Sequence, residues 1–230
     1  AQPNNSISTF SPPRAMGSRA PPLRSLFPHD AGTTAKPVDT AALLVRPLAP
    51  DPPNGVPKSL DLVEATVPQL EKALRTHLIS SEQLVQMYLY RIDAYDDAGP
   101  LLNAYIHLNP DALATARERD EDRGQGKADN PLFGIPVLLK DNVDTFDMPT
   151  TAGSLSLEGS IPPNDAFIAR RLRAAGAIVL GKATLTEFAN FIAIGMPSGY
   201  SSLGGYGFNP YDPRPLPGGD GRPGYFRTSL

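Results

Sequence analysis

Cysteine is absent from the sequence, which excludes disulfides and thiolate-ligated metal sites and leaves the redox compartment unread. Histidine is scarce: His29, His77 and His107 lie far apart, and no two have metal-ligand spacing. There is no excess of basic charge. Lys and Arg number 21 against 24 Asp and Glu, for a net charge of -3 and a pI near 5.6. A nucleic-acid partner is therefore not indicated. No apolar run reaches the roughly 18 residues of a membrane span. Proline, by contrast, is plentiful. The 26 prolines exceed the usual share of about 5% and gather towards the two ends of the chain.

Residues 1–59 are rich in Pro, Ser, Ala and Thr and show no sustained hydrophobic period. Such a segment buries too little apolar surface to offset its ordering entropy, so a disordered leader is expected. The folded part is expected to begin near Leu60. Thr66 caps a first helix with Pro68 in its opening turn, and Leu70, Ala73, Leu74 and His77 share one face. Ser80 and Gln83 form a capping box for a second helix, whose stripe is Leu84, Met87, Tyr88 and Ile92, and Gly99-Pro100 stops it. The alternation of Leu102, Ala104, Ile106 and Leu108 reads as a strand. Asn109-Pro110 opens a third helix; its run Arg117 to Arg123 reads as a solvated face and Gly124 ends it.

The informative stretch is Gly134-Ile135-Pro136-Val137-Leu138-Leu139-Lys140-Asp141-Asn142. Its apolar run has the length of a buried strand, and Pro136, lacking an N–H, fits only near the start of a strand or on an edge. The run ends in Lys140. A lysine at the mouth of an apolar strand loses water on several sides, which lowers its pKa, and a neutral amine can serve as a general base. Asp144 to Pro163 is irregular and presents the hydroxyls of Thr150, Thr151 and Ser154. A helix follows, capped by Asn164 or Asp165 and ending at Gly176. Ala177 to Leu180 is then a second buried strand. Strand, helix and strand make a βαβ unit, placing Lys140 at the carboxyl end of a parallel strand, where ligand crevices form in open α/β sheets. Thr184 to Glu187 reads as a further capping box. From Gly195 onward Gly and Pro are so dense that no regular element is expected.

The order of Gly134 to Asn142, Thr150-Thr151-Ala152-Gly153-Ser154, Ala175 to Thr184 and Glu187-Phe188-Ala189 resembles the amidase signature family. The resemblance covers roughly Leu60 to Pro223. It implies an α/β fold, the N-terminal part of a mixed sheet flanked by helices. It also implies hydrolysis of carboxylic amides by a Ser–cis-Ser–Lys triad without metal or other cofactor, with Lys140 in the position of the base. A small-molecule amide is the implied substrate of a complete member. Asp141, Thr150, Thr151 and Ser154 fall in the loop that lies beside the active site in the family.

Three other motifs fail on physical grounds. Gly176 to Ala183 nearly spells a phosphate-binding loop, but Ala183 replaces the magnesium-binding hydroxyl and the residues between the glycines are strand formers. Gly219 to Gly224 satisfies G-x-G-x-x-G without a preceding strand or a following helix. Gly199 to Leu203 lacks the second glycine of a nucleophile elbow. No Gly-Gly-Ser-Ser stretch follows Pro223, where the resemblance puts the two serines and the oxyanion donors; Gly224 to Leu230 diverge instead. The chain is therefore expected to be a truncated piece with the base and without the nucleophile, inactive as it stands. The competing expectation is a non-catalytic remnant that binds partners through the Pro-rich leader or through open sheet edges. Amide substrate, oligomeric state and a secreted or cytoplasmic location stay open.

Overall fold

The computed structural model describes residues 60, 62–63, 65–97 and 101–211. The expected leader, the Gly99-Pro100 stop and the divergent tail lie outside these residues. The described part is mixed α/β. In chain order it comprises α1 (Val67–Arg75), α2 (Ser81–Tyr95), β1 (Tyr105–Leu108), α3 (Ala112–Gly124), β2 (Pro136–Lys140), α4 (Phe167–Ala174), β3 (Ile178–Ala183), and the two-residue strands β4 (Tyr200–Ser201) and β5 (Gly205–Tyr206). Among the described residues no helix is long and apolar enough to cross a membrane.

The first two helices start as their sequences dictate. The Gln69 side chain accepts the Thr66 amide at 2.8 Å, and Pro68 sits in the first turn. Ser80 and Gln83 exchange side-chain to backbone bonds at 3.0 and 3.1 Å. Leu70, Ala73 and Leu74 of α1 pack with Leu84 and Met87 of α2 and with Ile135. His77 does not join that face: the helix ends at Arg75, and His77 is exposed with φ 55°. The charged run of α3 is only partly solvated. Its Asp120 carboxylate accepts the Ser81 and Glu82 amides at 2.7 and 3.0 Å, which satisfies orphan donors at the N-terminus of α2 with a charge of the favourable sign. Arg123 reaches inward to the Phe133 carbonyl at 2.7 Å.

The sheet has strand order β1-β3-β2, with β3 antiparallel to β1 and parallel to β2. The expected βαβ unit is therefore present. β2 is an edge strand in this sheet and Pro136 is its first residue, the place where a missing donor costs least. Ile178 and Leu180 pack on one face against Val85, Leu89 and Ile92 of α2 and Ala112 and Ala116 of α3. Val179 and Leu139 pack on the other face with Met148 and with Ala169 of α4. Gly176 ends the αβ connection at φ +79°, and a Cβ there would stand 2.4 Å from the Phe133 ring.

Four local expectations are overturned, the first three because a side chain bonds a segment outside its own element. Residues before Tyr105 leave the strand, with Leu101 and Asn103 at φ 54° and 53°; the Asp96 carboxylate takes the Ala104 and Tyr105 amides instead. Asn109 does not cap α3, which starts two residues later; its side chain bonds the Val179 carbonyl at 2.8 Å. Neither Asn164 nor Asp165 caps α4, whose N-cap is Ala166. The Asp165 carboxylate accepts the Phe146 amide at 3.2 Å and pairs with Arg173 at 3.1 Å. After Gly195 a short regular hairpin does form, with β4 antiparallel to β5 and the Tyr200 and Tyr206 rings 4.9 Å apart.

One irregularity governs the orientation of the sheet's side chains. Val137 is opposite Val179 but Leu138 is opposite Gly181, so β3 carries one extra residue at this point. Both Leu180 and Gly181 then oppose one residue of β2, a bulge that shifts every later side chain of β3 to the other face. Gly181 permits it because the β1 backbone presses in: a Cβ at 181 would stand 2.4 Å from the His107 carbonyl oxygen. Gly181→Ala is expected to lower stability by about 2 kcal/mol, read as a lower urea midpoint, since overpacking forces the backbone to move. Gly124→Ala, which meets nothing within 4 Å, leaves the midpoint unchanged or raises it.

Candidate active site

The carboxyl ends of β2 and β3 run side by side, with Lys140 opposite Ala183 and Leu139 opposite Lys182. Paired residues of neighbouring strands share a face, so Lys182 lies with Leu139 on the α4 face while Lys140 lies on the opposite one. Two lysines thus stand within one residue of register and point away from each other.

Their surroundings differ. Lys182 is fully buried. Its Nζ donates to the Val143 carbonyl at 2.8 Å, the Pro149 carbonyl at 3.1 Å and the Thr150 hydroxyl at 2.9 Å. These three acceptors use all three ammonium protons, so a neutral amine here would waste an acceptor. Burial lowers its pKa, while Asp141, Asp144, Asp147 and Asp165 act to hold the charge. Lys182 is a cationic staple across the loop that follows β2. Lys140 is half-buried, and among the described residues nothing hydrogen-bonds or pairs with its amine. Burial alone lowers its pKa from the ordinary value of 10.5. Of the two, only Lys140 has an amine available to take a proton.

The loop hydroxyls are oriented, but not towards Lys140. Thr150 serves Lys182, so the amine it positions is the other lysine's. Thr151 is buried and its hydroxyl donates to the Asp141 carboxylate. That carboxylate, itself fully buried, also accepts the Thr151 and Gly153 amides at 3.3 and 3.2 Å. The Asp141 carbonyl accepts the Ala152 amide at 2.9 Å. The residue next to Lys140 therefore ties the start of the loop to its Thr151-Ala152-Gly153 turn, and Lys140 cannot shift without dragging that turn. Ser154 is buried; its hydroxyl lies 2.9 Å from that of Ser156 and bonds Glu187.

Glu187 is a second hub. Its carboxylate accepts the Ser202 amide at 2.8 Å. Burial works against its charge, but hydrogen bonds from the Ser154 and Ser202 side chains and the Ser202 amide outweigh this and hold the carboxyl below its usual range. The expected capping box at Thr184 to Glu187 does not form. Thr184 donates to the Asn103 carbonyl at 3.0 Å, Thr186 accepts the Gly199 amide at 2.7 Å, and Phe188, Ala189 and Asn190 take positive φ. The side chains that would cap a helix stitch three loops together instead.

The surroundings of three further residues near the site are not announced by the sequence pattern. Lys182 is visible there only as part of a failed phosphate-loop match, although a lysine closing an apolar Ile-Val-Leu-Gly run is itself a signal of a buried, bonded ammonium. Glu187 gives no signal as a hub, because its partners are far away in sequence. His107 sits opposite Lys182 with Nε2 buried and unpartnered; burial lowers its pKa, with Asp141 opposing and Lys182 reinforcing. Among the described residues no cluster of three or more His, Cys, Asp or Glu is arranged to hold a metal.

A sequence model described as "Amidase" matches residues 83–220. A Schizosaccharomyces pombe protein that carries the name of an amidase is 40% identical over 163 residues, covering 70% of this chain and 27% of that protein. An Arabidopsis thaliana protein, also named as an amidase, is 42% identical over 156 residues, covering 66% and 30%. Among solved structures, the native peptide amidase of Stenotrophomonas maltophilia superposes with a TM-score of 0.63 at 50% identity, over 65% of this chain and 30% of that one. The chain therefore spans about a third of the length of the relatives it matches.

Stability separates the two lysines. Lys182→Met strands three half-buried acceptors and is expected to cost about 3 kcal/mol. Lys140→Met strands none. The folded-state pKa of Lys140 lies below its unfolded value, so the folded chain binds fewer protons between the two. The desolvation penalty is full below the lowered pKa and is relieved as pH rises towards 10.5. Lys140→Met is thus expected to keep or raise the urea midpoint at pH 7, with its advantage shrinking in alkali.

Proposed function

The chain belongs to the amidase family, and on that premise we propose that it carries the proton-accepting half of an amide-hydrolysing site, with Lys140 as the base. The observation that supports this reading is the half-buried, unpartnered amine of Lys140 beside a fully bonded Lys182. Desolvation favours the neutral amine, which takes the proton of a serine hydroxyl as that oxygen attacks an amide carbonyl. A relay serine passes the proton onward to the leaving amine, and backbone amides stabilise the tetrahedral oxyanion, each such donor being worth about 3 kcal/mol. No step requires a metal or an organic cofactor.

The serine half is not assigned to this chain. Ser154 bonds Ser156 and Glu187. Ser201 accepts the Gly204 amide at 2.9 Å, and Ser202 accepts the Leu155 amide at 3.1 Å. None of these hydroxyls bonds Lys140. The 230 residues alone are therefore proposed to be inactive towards amides, and the substrate class of the complete enzyme is a small carboxylic amide, such as the C-terminal amide of a peptide.

The test joins this chain covalently to the part of the Stenotrophomonas maltophilia peptide amidase that follows the matched segment, and measures ammonia release from a peptide amide. The chain alone is expected to give none and the fusion to turn over. Lys140→Ala in the fusion is expected to lose roughly ten-thousandfold or more in rate. Hydrolysis by the chain alone that persists after Lys140→Ala would refute the assignment.

A further inference from the structure

The sheet brings three ionisable side chains to one of its faces. His107 of β1 is paired with Lys182 of β3, and paired residues share a face. Leu108, the next residue, packs with Ile178 and Leu180 on the opposite face, which fixes His107 on the side covered by α4. Asp141 follows Lys140 at the end of β2, with its amide bonded to the Ala183 carbonyl at 3.1 Å. By alternation it returns to the face of Leu139 and Lys182. Two of the three groups are fully engaged. The Lys182 ammonium has its three acceptors. The Asp141 carboxylate has the Thr151 hydroxyl and the Thr151 and Gly153 amides. His107 is the exception: its Nε2 is buried and, among the described residues, has no hydrogen-bond partner. A buried polar atom left in that state calls for an account.

Only a neutral imidazole fits this place. An imidazolium donates from both ring nitrogens and accepts nothing, and here it would stand beside an ammonium with no acceptor to spare. The charge that α4 brings to this face, Arg173, is paired with Asp147 and Asp165, and Asp144 acts on Lys182. Asp141 is the anion that acts on His107, with Lys182 opposing it. We propose that His107 is an acid sensor for the loop beside Lys140: once protonated, it draws the Asp141 carboxylate away from the Thr151-Ala152-Gly153 turn and releases that turn. The proton comes from solvent onto the imidazole, and only hydrogen bonds change. Burial holds the imidazole below its ordinary value of 6.5. The unfolded chain therefore takes up the proton first, and stability falls as pH drops through 6.5 and on to the lowered value. The inference rests on the reading of Lys140 as a base only where release of the turn is taken to displace that amine.

The experiment takes the 230-residue chain from about pH 7.5 to about pH 5. Imidazole proton resonances follow each histidine, and amide hydrogen exchange, corrected for its intrinsic rate, follows the turn. His107 is expected to titrate below the ordinary imidazole range. Exchange at the Thr151 and Gly153 amides is expected to quicken about tenfold with the same midpoint. The Ile178 amide, bonded inside the sheet to the Ile135 carbonyl, is expected to stay slow, which separates release of the turn from loss of the fold. His107→Gln keeps a polar side chain and cannot take up the proton, so both turn amides are expected to stay slow throughout. Exchange that ignores the His107 midpoint, that quickens equally at Ile178, or that persists in His107→Gln would overturn the proposal. Should His107→Gln fail to fold, the two midpoints in the unaltered chain decide: coincidence sustains the sensor and separation overturns it. Lys140→Ala is expected to leave the exchange step in place. An inactive fusion would thus remove the assignment of Lys140 while this result stood, and an active fusion can accompany its failure.

Discussion

The ammonium of Lys182 is the contact on which the candidate site depends. Its three bonds, to Val143, Pro149 and Thr150, close the long connection after β2 into a fixed turn. A loop of that length has no regular ladder to satisfy its own carbonyls, and a buried cation does so at the cost of its own desolvation. The lysine reaches them only because β3 bulges at Leu180 and Gly181. With the strand in even register, Lys182 would point to the other face of the sheet. The bulge in turn needs a residue without a Cβ under the β1 backbone. Glycine, bulge, lysine and loop thus form one causal chain.

A second chain starts beside it. Asp141 buries a carboxylate close enough to act on the charge of Lys182, and the two groups are bonded to different parts of the same loop. Each is satisfied by backbone as well as side-chain groups, so a pair of buried charges that would be costly if loosely bonded becomes a rigid frame. Lys140 is set between β2 and this frame. Its backbone is held by its neighbours on both sides in the chain while its amine is left without a hydrogen-bond partner among the described residues.

Much of the architecture was legible from local patterns. The cap at Thr66, the capping box at Ser80, the apolar stripe of α2 and the left-handed glycine at 176 depend on neighbours a few residues away, and the parallel pairing of β2 with β3 follows from the order strand, helix, strand; all are present. Most of the errors share one cause. Asn109, Asp120, Asp165, Thr184 and Thr186 have the chemistry of caps or of a solvated face, and each spends it on a segment distant in sequence. Local rules count what a side chain can bond, not what the fold brings to it. The hydroxyls of Thr150, Thr151 and Ser154 are recognisable in the right loop, but their partners, Lys182, Asp141 and Glu187, are set by contacts that no local pattern announces.

What the sequence determined by itself was the family, the α/β class and the identity of the lysine that ends an apolar strand, because ordered motifs and hydrophobic period are properties of the chain read in one dimension. Tertiary structure alone decided which of two neighbouring lysines is spent and which is available. Both end short apolar runs, and burial lowers the pKa of both. The difference is a one-residue bulge that turns Lys182 into a nest of acceptors and leaves Lys140 facing none, and strand register is a relation between segments that neither segment encodes alone.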